Sequence, residues 1–164
     1  IALEKDFDVF FRQPLANEDQ DAVLKMMKHD HSVVTFSDSG AHVAQIMDSS
    51  LQTHLLSYWV REREEFTLEQ AIKMITCDTA NAWGFLDRGI VREGLNADLL
   101  ILDPDAVDQN MPELVNDLPA GAQRLKQTST GIQYTIVNGQ ILLKGEQHSG
   151  DYPGKLVRGS LAKS

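Results

Sequence analysis

Three scarcities bound what this chain can be. It has one cysteine, Cys77, in 164 residues, so no internal disulfide can form. Cys77 lies in a stretch of helical periodicity, where a small buried hydrophobe is the ordinary role, and a lone cysteine points to a reducing, cytoplasmic setting. Basic residues are few: 15 lysines and arginines face 24 aspartates and glutamates, for a net charge of −9. Neutralising a phosphate backbone takes a clustered basic face, and none occurs, so nucleic acid is excluded as a partner. Long apolar runs are also missing. Nothing approaches the roughly 18 residues of a spanning helix, and the N-terminus has neither the basic start nor the apolar middle of a signal peptide. No membrane partner is expected. The chain opens on Ile1 without a methionine, which suggests a processed or truncated product whose upstream signal could have been lost.

What is present is ordinary globular material, 42% hydrophobic and 24% charged, enough for one core. The spacing predicts a first helix after Pro14. Asn17 can cap it, Glu18, Asp19 and Asp21 suit its positive end, Lys25, Lys28 and His29 suit its negative end, and Ala22, Val23, Met26 and Met27 form its apolar face. A short β-branched and apolar run, residues 33–36, then reads as a buried strand ending at Ser37-Asp38-Ser39-Gly40. A second helix is expected over 53–64, with Leu55, Leu56, Trp59 and Val60 on one face. A third starts at Thr67, where Thr67-Leu68-Glu69-Gln70 fits a capping box. Asp78 or Thr79 should cap a last short turn stopped by Gly84.

From Gly89 the periodicity changes to strands, expected at 88–92, 97–102, 132–137 and 140–143. Asn138-Gly139 between the last two is the preferred dipeptide of a two-residue hairpin turn, because both positions need positive φ. Residues 105–130 hold Pro112, Pro119 and Gly121 and no sustained period, so they read as a long connection. The change of composition near residues 84–89 suggests two structural parts, 1–88 and 89–164, neither of which looks complete.

Helix, buried strand, then an aspartate and a glycine-containing loop is how α/β barrels place catalytic groups, and an open α/β sheet would use the same layout. On the residues alone, Asp38 reads equally as a loop or capping aspartate and as a catalytic one. His29-Asp30-His31 has the spacing of a metal-binding pair. However, about five strand residues at roughly 3.3 Å each put it on the order of 17 to 20 Å from Asp38. Zinc ligands lie within roughly 2.1 Å of the ion, so the pair cannot share a metal with Asp38 in a barrel and reads as a helix end in solvent. His54 opens an amphipathic helix and reads as a packing or capping residue. Arg61 and Arg63 could hold a substrate carboxylate, although charges on a helix face are ordinarily just solvated.

Several segments together resemble a known family. Ser37-Asp38-Ser39-Gly40-Ala41-His42-Val43, Thr53-His54-Leu55-Leu56 with Trp59-Val60-Arg61-Glu62, and Leu86-Asp87-Arg88-Gly89 through Gly94 to Ala97-Asp98-Leu99 and Asp103-Pro104 are similar to the end of the D-aminoacylase (N-acyl-D-amino-acid deacylase) branch of the amidohydrolase superfamily. The resemblance continues through Val137-Asn138-Gly139 and Pro153-Gly154-Lys155-Leu156-Val157-Arg158-Gly159, so it covers nearly the whole chain. It departs from the family at Thr79-Ala80, where Pro-Ala is frequent, and in a loop after Asp38 that lacks some prolines and glycines.

The resemblance implies the C-terminal end of a (β/α)8 barrel followed by strands of a small β-sandwich, mixed α+β as an isolated piece. It further implies that Asp38 is the acid/base: it takes a proton from zinc-activated water and returns it to the leaving amine. Ser39, Gly40 and His42 are implied substrate-binding residues, and Asp38 a possible weak metal ligand. The remaining ligands would lie outside this chain, so zinc is expected in the full-length enzyme and none on this piece. A complete barrel takes about 250 residues, so the implied partners are the N-terminal remainder of the barrel, a small N-acyl-amino-acid substrate, and possibly a second copy of the chain. Two other readings stay open: a non-catalytic α+β binding or assembly module, and a hydrolase of cyclic amides of the hydantoin or dihydropyrimidine kind.

Overall fold

The computed structural model describes residues 1–6, 9, 11, 13–43, 45–47 and 49–158. The chain divides into two compact units, Ile1–Ser32 and Val33–Ser164.

The first unit holds a short 3-10 turn, Leu3–Lys5, and helix α1, Gln20–Met27. Asp19, not Asn17, caps α1: its carboxylate accepts from the amides of Asp21 and Ala22 at 3.0 and 3.1 Å, while Asn17 sits at φ 60°. The expected apolar stripe is also rotated. Val23, Leu24 and Met27 are half-buried, whereas Ala22 and Met26 are exposed. The cap falls to Asp19 because it has the extended backbone of an N-cap, φ −79° and ψ 100°, which Asn17 at φ 60° lacks; nothing in the described contacts explains the rotated stripe.

The second unit begins with the extended residues 33–36. They form no ladder with any described strand, so the expected strand is not realised here. The reason is that an extended segment becomes a strand only by pairing, and no neighbour is present. Helix α2, Leu51–His54, runs directly into a π-helical stretch, Leu55–Glu62. Helix α3, Leu68–Lys73, does the same through Met74–Asp78 into α4, Thr79–Ala82. The capping box at Thr67 forms: its hydroxyl accepts from Gln70 N at 3.2 Å and Gln70 Oε1 accepts from Thr67 N at 2.9 Å. No fresh cap forms at Asp78, which is itself helical, and Gly84 at φ 74° follows the last turn.

Leu55, Leu56, Trp59, Ala71, Ala80 and Val107 are the buried apolar side chains among the described residues. Val107 stands where the strand-rich half meets the π-helical stretch, its carbonyl accepting from Arg61 Nη1 at 2.7 Å. Ser57, also buried, donates to Gln109 Oε1 at 3.1 Å, and Gly89 lies so close to the α3–α4 helix that a Cβ there would meet Ala80 Cβ at 2.8 Å.

Strands β1 (Leu99–Leu102), β6 (Ile132–Val137), β7 (Gln140–Lys144) and β8 (Gln147–His148) make one antiparallel sheet in the order β1-β6-β7-β8. The hairpin between β6 and β7 forms as expected, with Val137 opposite Gln140 and Asn138 and Gly139 at φ 48° and 76°. Residues 88–92 are not a strand. Gly89 turns at φ 91°, and Arg88 is committed to Asp98, 2.7 Å from its Nη1. Asp98 also accepts from Asn138 N at 2.8 Å, and Gly139 N donates to Ala97 O at 2.9 Å. The Asp-Arg-Gly and Ala-Asp-Leu segments thus clamp the hairpin turn from the far end of β1.

The long connection 105–130 is instead an arm of two small ladders. Strand β2 (Asp108–Gln109) pairs with β5 (Ser129–Thr130), and β3 (Glu113–Val115) pairs with β4 (Arg124–Lys126). Near its tip Arg124 grips Asp117 with two bonds of 2.6 Å. Ladders of two and three residues are too short to leave a period in sequence. Among the described residues no helix is long and apolar enough to cross a membrane.

The hydrogen bonds from Arg124 hold the Asp117 carboxyl below the ordinary carboxylate range. A depressed folded value means that the pair stabilises the arm above the usual carboxylate range and is lost as pH falls through the depressed value. Carboxyl NMR should show Asp117 titrating at lower pH than it does in an Arg124→Gln variant; equal midpoints would mean that the pair does not form in solution.

A second expectation follows from exposure. Phe36, Leu86 and Val91 are 72%, 75% and 88% exposed, and residues 33–36 leave backbone groups unpaired in the sheet sense. Apolar surface beside an open extended edge favours association. The 164-residue chain should sediment as concentration-dependent oligomers, and a clean monomer with a sharp cooperative melt would contradict this.

Candidate functional site

Asp38 follows the extended segment and begins a tight loop. Its carbonyl accepts from Ala41 N at 3.0 Å, Gly40 N donates to Ile46 O at 3.0 Å, and Val43 N donates to Gly40 O at 3.0 Å. Ser39 N donates to Ser37 Oγ at 3.2 Å. Gly40, His42 and Val43 all lie at positive φ, 85°, 54° and 66°. Glycine takes that conformation freely, but a β-branched valine there costs about 1–2 kcal/mol and marks a loop held in a particular shape. A Cβ at Gly40 would meet nothing within 4 Å, so glycine serves the turn and not a close approach.

The four sequence-chosen residues Asp38, Ser39, Gly40 and His42 therefore share one loop, with Asp38 and His42 exposed. They do not line either of two open concavities in the strand-rich region. One, about 300 Å³, is walled by Asp87, Arg88, Asn138 and the 154–158 segment; the other, about 550 Å³, lies over Thr128, Gly131, Thr135 and Leu143. Gly159 lies outside the described residues.

The secondary candidates find structural employment. His54 is half-buried with its ring stacked on Tyr58, centroids 4.9 Å apart at 11°. Arg61, still partly exposed, directs its guanidinium inward: Nη1 donates to Val107 O at 2.7 Å and Pro104 O at 3.3 Å, and Nη2 lies 3.4 Å from Asp108. Five donors in a planar fork suit that task, which holds the helical half to the first turn after β1. Arg63 pairs with Glu65 at 3.7 Å and lies over the Trp59 ring at 5.5 Å. Sequence reasoning missed Thr79, whose hydroxyl donates to Val34 O at 2.5 Å. Its one visible signal was a polar residue where the resembled family often has proline.

As for a metal, the donor sets do not fit. Among the described residues no group of three or more His, Cys, Asp or Glu side chains gathers. His29 and His31, rings 5.6 Å apart at 52°, are exposed beyond α1, and His29 Nδ1 already accepts from His31 N at 3.2 Å. Among the described residues no ligand set gathers around Asp38.

An extended segment feeding a shaped, carboxylate-bearing loop, packed on a helix and followed by an antiparallel sheet, defines a mixed α and β protein. The amidohydrolase family matches residues 7–143, and the chain belongs to that family. It is 32% identical over 105 residues to N-acyl-D-aspartate deacylase of Alcaligenes xylosoxydans xylosoxydans, covering 64% of this chain and 19% of that protein. With N-acyl-D-glutamate deacylase of the same organism the identity is 33% over 106 residues, covering 65% and 20%. Among solved structures, a D-aminoacylase mutant in complex with CuCl2 aligns with TM-score 0.50 and 26% identity over 65% of this chain and 20% of that one. The chain thus spans about one fifth of the length of the curated relatives it matches.

Since the donors present do not converge, zinc in equilibrium dialysis against the 164-residue chain should bind well below one equivalent at micromolar concentrations. One tight equivalent that is lost on Asp38→Ala would mean that these residues assemble a metal site unaided.

Proposed function

We propose that this chain is the C-terminal portion of a metal-dependent amidohydrolase that hydrolyses the amide bond of an N-acyl-D-amino acid. The observation that carries the proposal is the family match across residues 7–143, which contains the whole Asp38 loop. The names of the relatives favour a substrate with an acidic side chain. In this reading residues 33–36 become the last barrel strand, paired once the rest of the barrel is present, and the barrel and sandwich portions meet near residues 88–89. The exposed Leu100 and Ile101 of β1, on opposite faces, then gain a covering layer from sandwich strands elsewhere in the protein.

Asp38 is the acid/base. A carboxylate at the mouth of a strand accepts a proton from the attacking water and returns it to the amine as the C–N bond breaks. His42 and Ser39 sit on the same loop to contact substrate, and Gly40 lets the loop turn. The metal is held by residues outside this chain, and the piece alone does not hydrolyse amides.

In the complete enzyme, Asp38→Asn should lower kcat by about 10² to 10⁴ on N-acetyl-D-glutamate and N-acetyl-D-aspartate, the ordinary span for losing an acid/base. Full activity in that variant would remove Asp38 from the mechanism. Turnover of dihydropyrimidines in place of acyl amino acids would move the substrate to cyclic amides, and no turnover of either class, with metal bound, would favour the non-catalytic module.

A further inference from the structure

Among the described residues, the hydrogen bond that ties residues 33–38 to a helix comes from Thr79. Its Oγ1 donates to Val34 O at 2.5 Å and lies 2.9 Å from Met74 O, so one hydroxyl proton is shared between two carbonyls. We infer that Thr79 is a positioning residue for Asp38, holding by its hydroxyl the segment that presents the carboxylate; the inference rests on the acid/base reading above.

The winding of the helix is what makes the reach possible. One turn earlier, Thr76 spends its hydroxyl on its own helix, donating to Ile72 O four residues back at 2.6 Å. That is the usual fate of a helical threonine. Thr79 stands where the π-helical stretch Met74–Asp78 gives way to α4. The carbonyl within reach is there five residues back, and the side chain faces outward far enough to meet a second acceptor on another segment. Short π-helical insertions recur where a side chain must be re-aimed. Thr79 is half-buried, and a partly shielded bond to a carbonyl is stronger than one competing with bulk water.

The geometry then runs along one short lever. Val34 lies four residues before Asp38, about 13 Å at roughly 3.3 Å per extended residue. One turn of helix past Thr79, Trp83 sets its ring 6.3 Å from that of Phe36, so the same helix touches the segment at two points. Releasing Val34 O removes one of the two ties that set where the segment lies on this helix, and with it part of what fixes the placement of Asp38. A misplacement of about 1 Å at a reacting group can cost on the order of 10²-fold in rate without weakening substrate binding.

The test compares Thr79→Val, which keeps the shape and removes the donor, with Thr79→Ser, which keeps the donor. In the complete enzyme, with the N-acyl-D-amino acid it hydrolyses fastest, Thr79→Val should lose on the order of 10- to 100-fold in kcat with KM unchanged. Thr79→Ser should stay within about twofold of the parent. Crystal structures of the two variants should show the Asp38 carboxylate displaced in the first and in place in the second. If Thr79→Val keeps its kcat, or if the serine variant fails as badly as the valine one, the inference is overturned while the Asp38 reading stands. If Asp38→Asn is itself fully active, both fall together.

Discussion

The Asp38 segment hangs on a single shared proton between Thr79 Oγ1 and the carbonyls of Val34 and Met74. The wider constraint behind it is that an extended backbone has no stability of its own: its donors and acceptors must be met from outside the segment. Among the described residues, the Thr79 hydroxyl meets that demand at Val34 O, and the Phe36–Trp83 ring contact adds side-chain packing, where a sheet would supply a ladder. The consequences spread outward. Asp38 is exposed, its loop closes on itself through Gly40 and Ile46, and Asp38 lines neither of the two concavities of the strand-rich region.

A second tie keeps the helical and strand-rich halves of the larger unit together, and it is polar. Arg61 reaches from the π-helical stretch to the carbonyls of Pro104 and Val107 and to Asp108, while Ser57 on the same helix takes Gln109. Between them Val107 is buried almost completely. Gly131 stacks against the same corner so tightly that a Cβ would lie 2.4 Å from Val107 N, and φ 73° already demands glycine there. An apolar contact alone would let the turn after β1 rotate on the helix, whereas a forked donor on two carbonyls fixes its direction.

Legibility in the sequence followed the range of the interaction. The capping box at Thr67-Gln70 and the Asn138-Gly139 hairpin are decided within a few residues, and both form as read. Leu55, Leu56 and Trp59 show through their helical spacing and are buried. What escaped depends on partners distant in the chain. Arg61 looks like any surface arginine until Val107 and Asp108 arrive 46 and 47 residues later. The arm over 105–130 pairs two- and three-residue strands, too few for alternation to register. Residues 33–36 have the composition of a strand and lack its neighbours. That Asp38, Ser39, Gly40 and His42 share one loop follows from their lying within five residues; the strain at His42 and Val43 was not legible, since nothing in a histidine-valine pair announces positive φ.

Exposure and strain point the same way about what the loop is for. A valine at φ 66° is held there only if the surrounding bonds over-determine it, and here Val43 N is tied to Gly40 O and Gly40 N to Ile46 O. Such strain costs stability and does nothing for a bare surface turn, so a purely connecting loop would relieve it with glycine or asparagine. Of the apolar residues that follow the helix bracing the segment, Phe85 is half-buried, but Trp83, Leu86 and Ile90 are exposed, as is Phe36 on the segment itself. A surface that is apolar where the segment is braced and strained where its carboxylate is presented is built to be covered. Under the function proposed above, strands pairing with residues 33–36 would bury that flank first and would leave Asp38 at their open end.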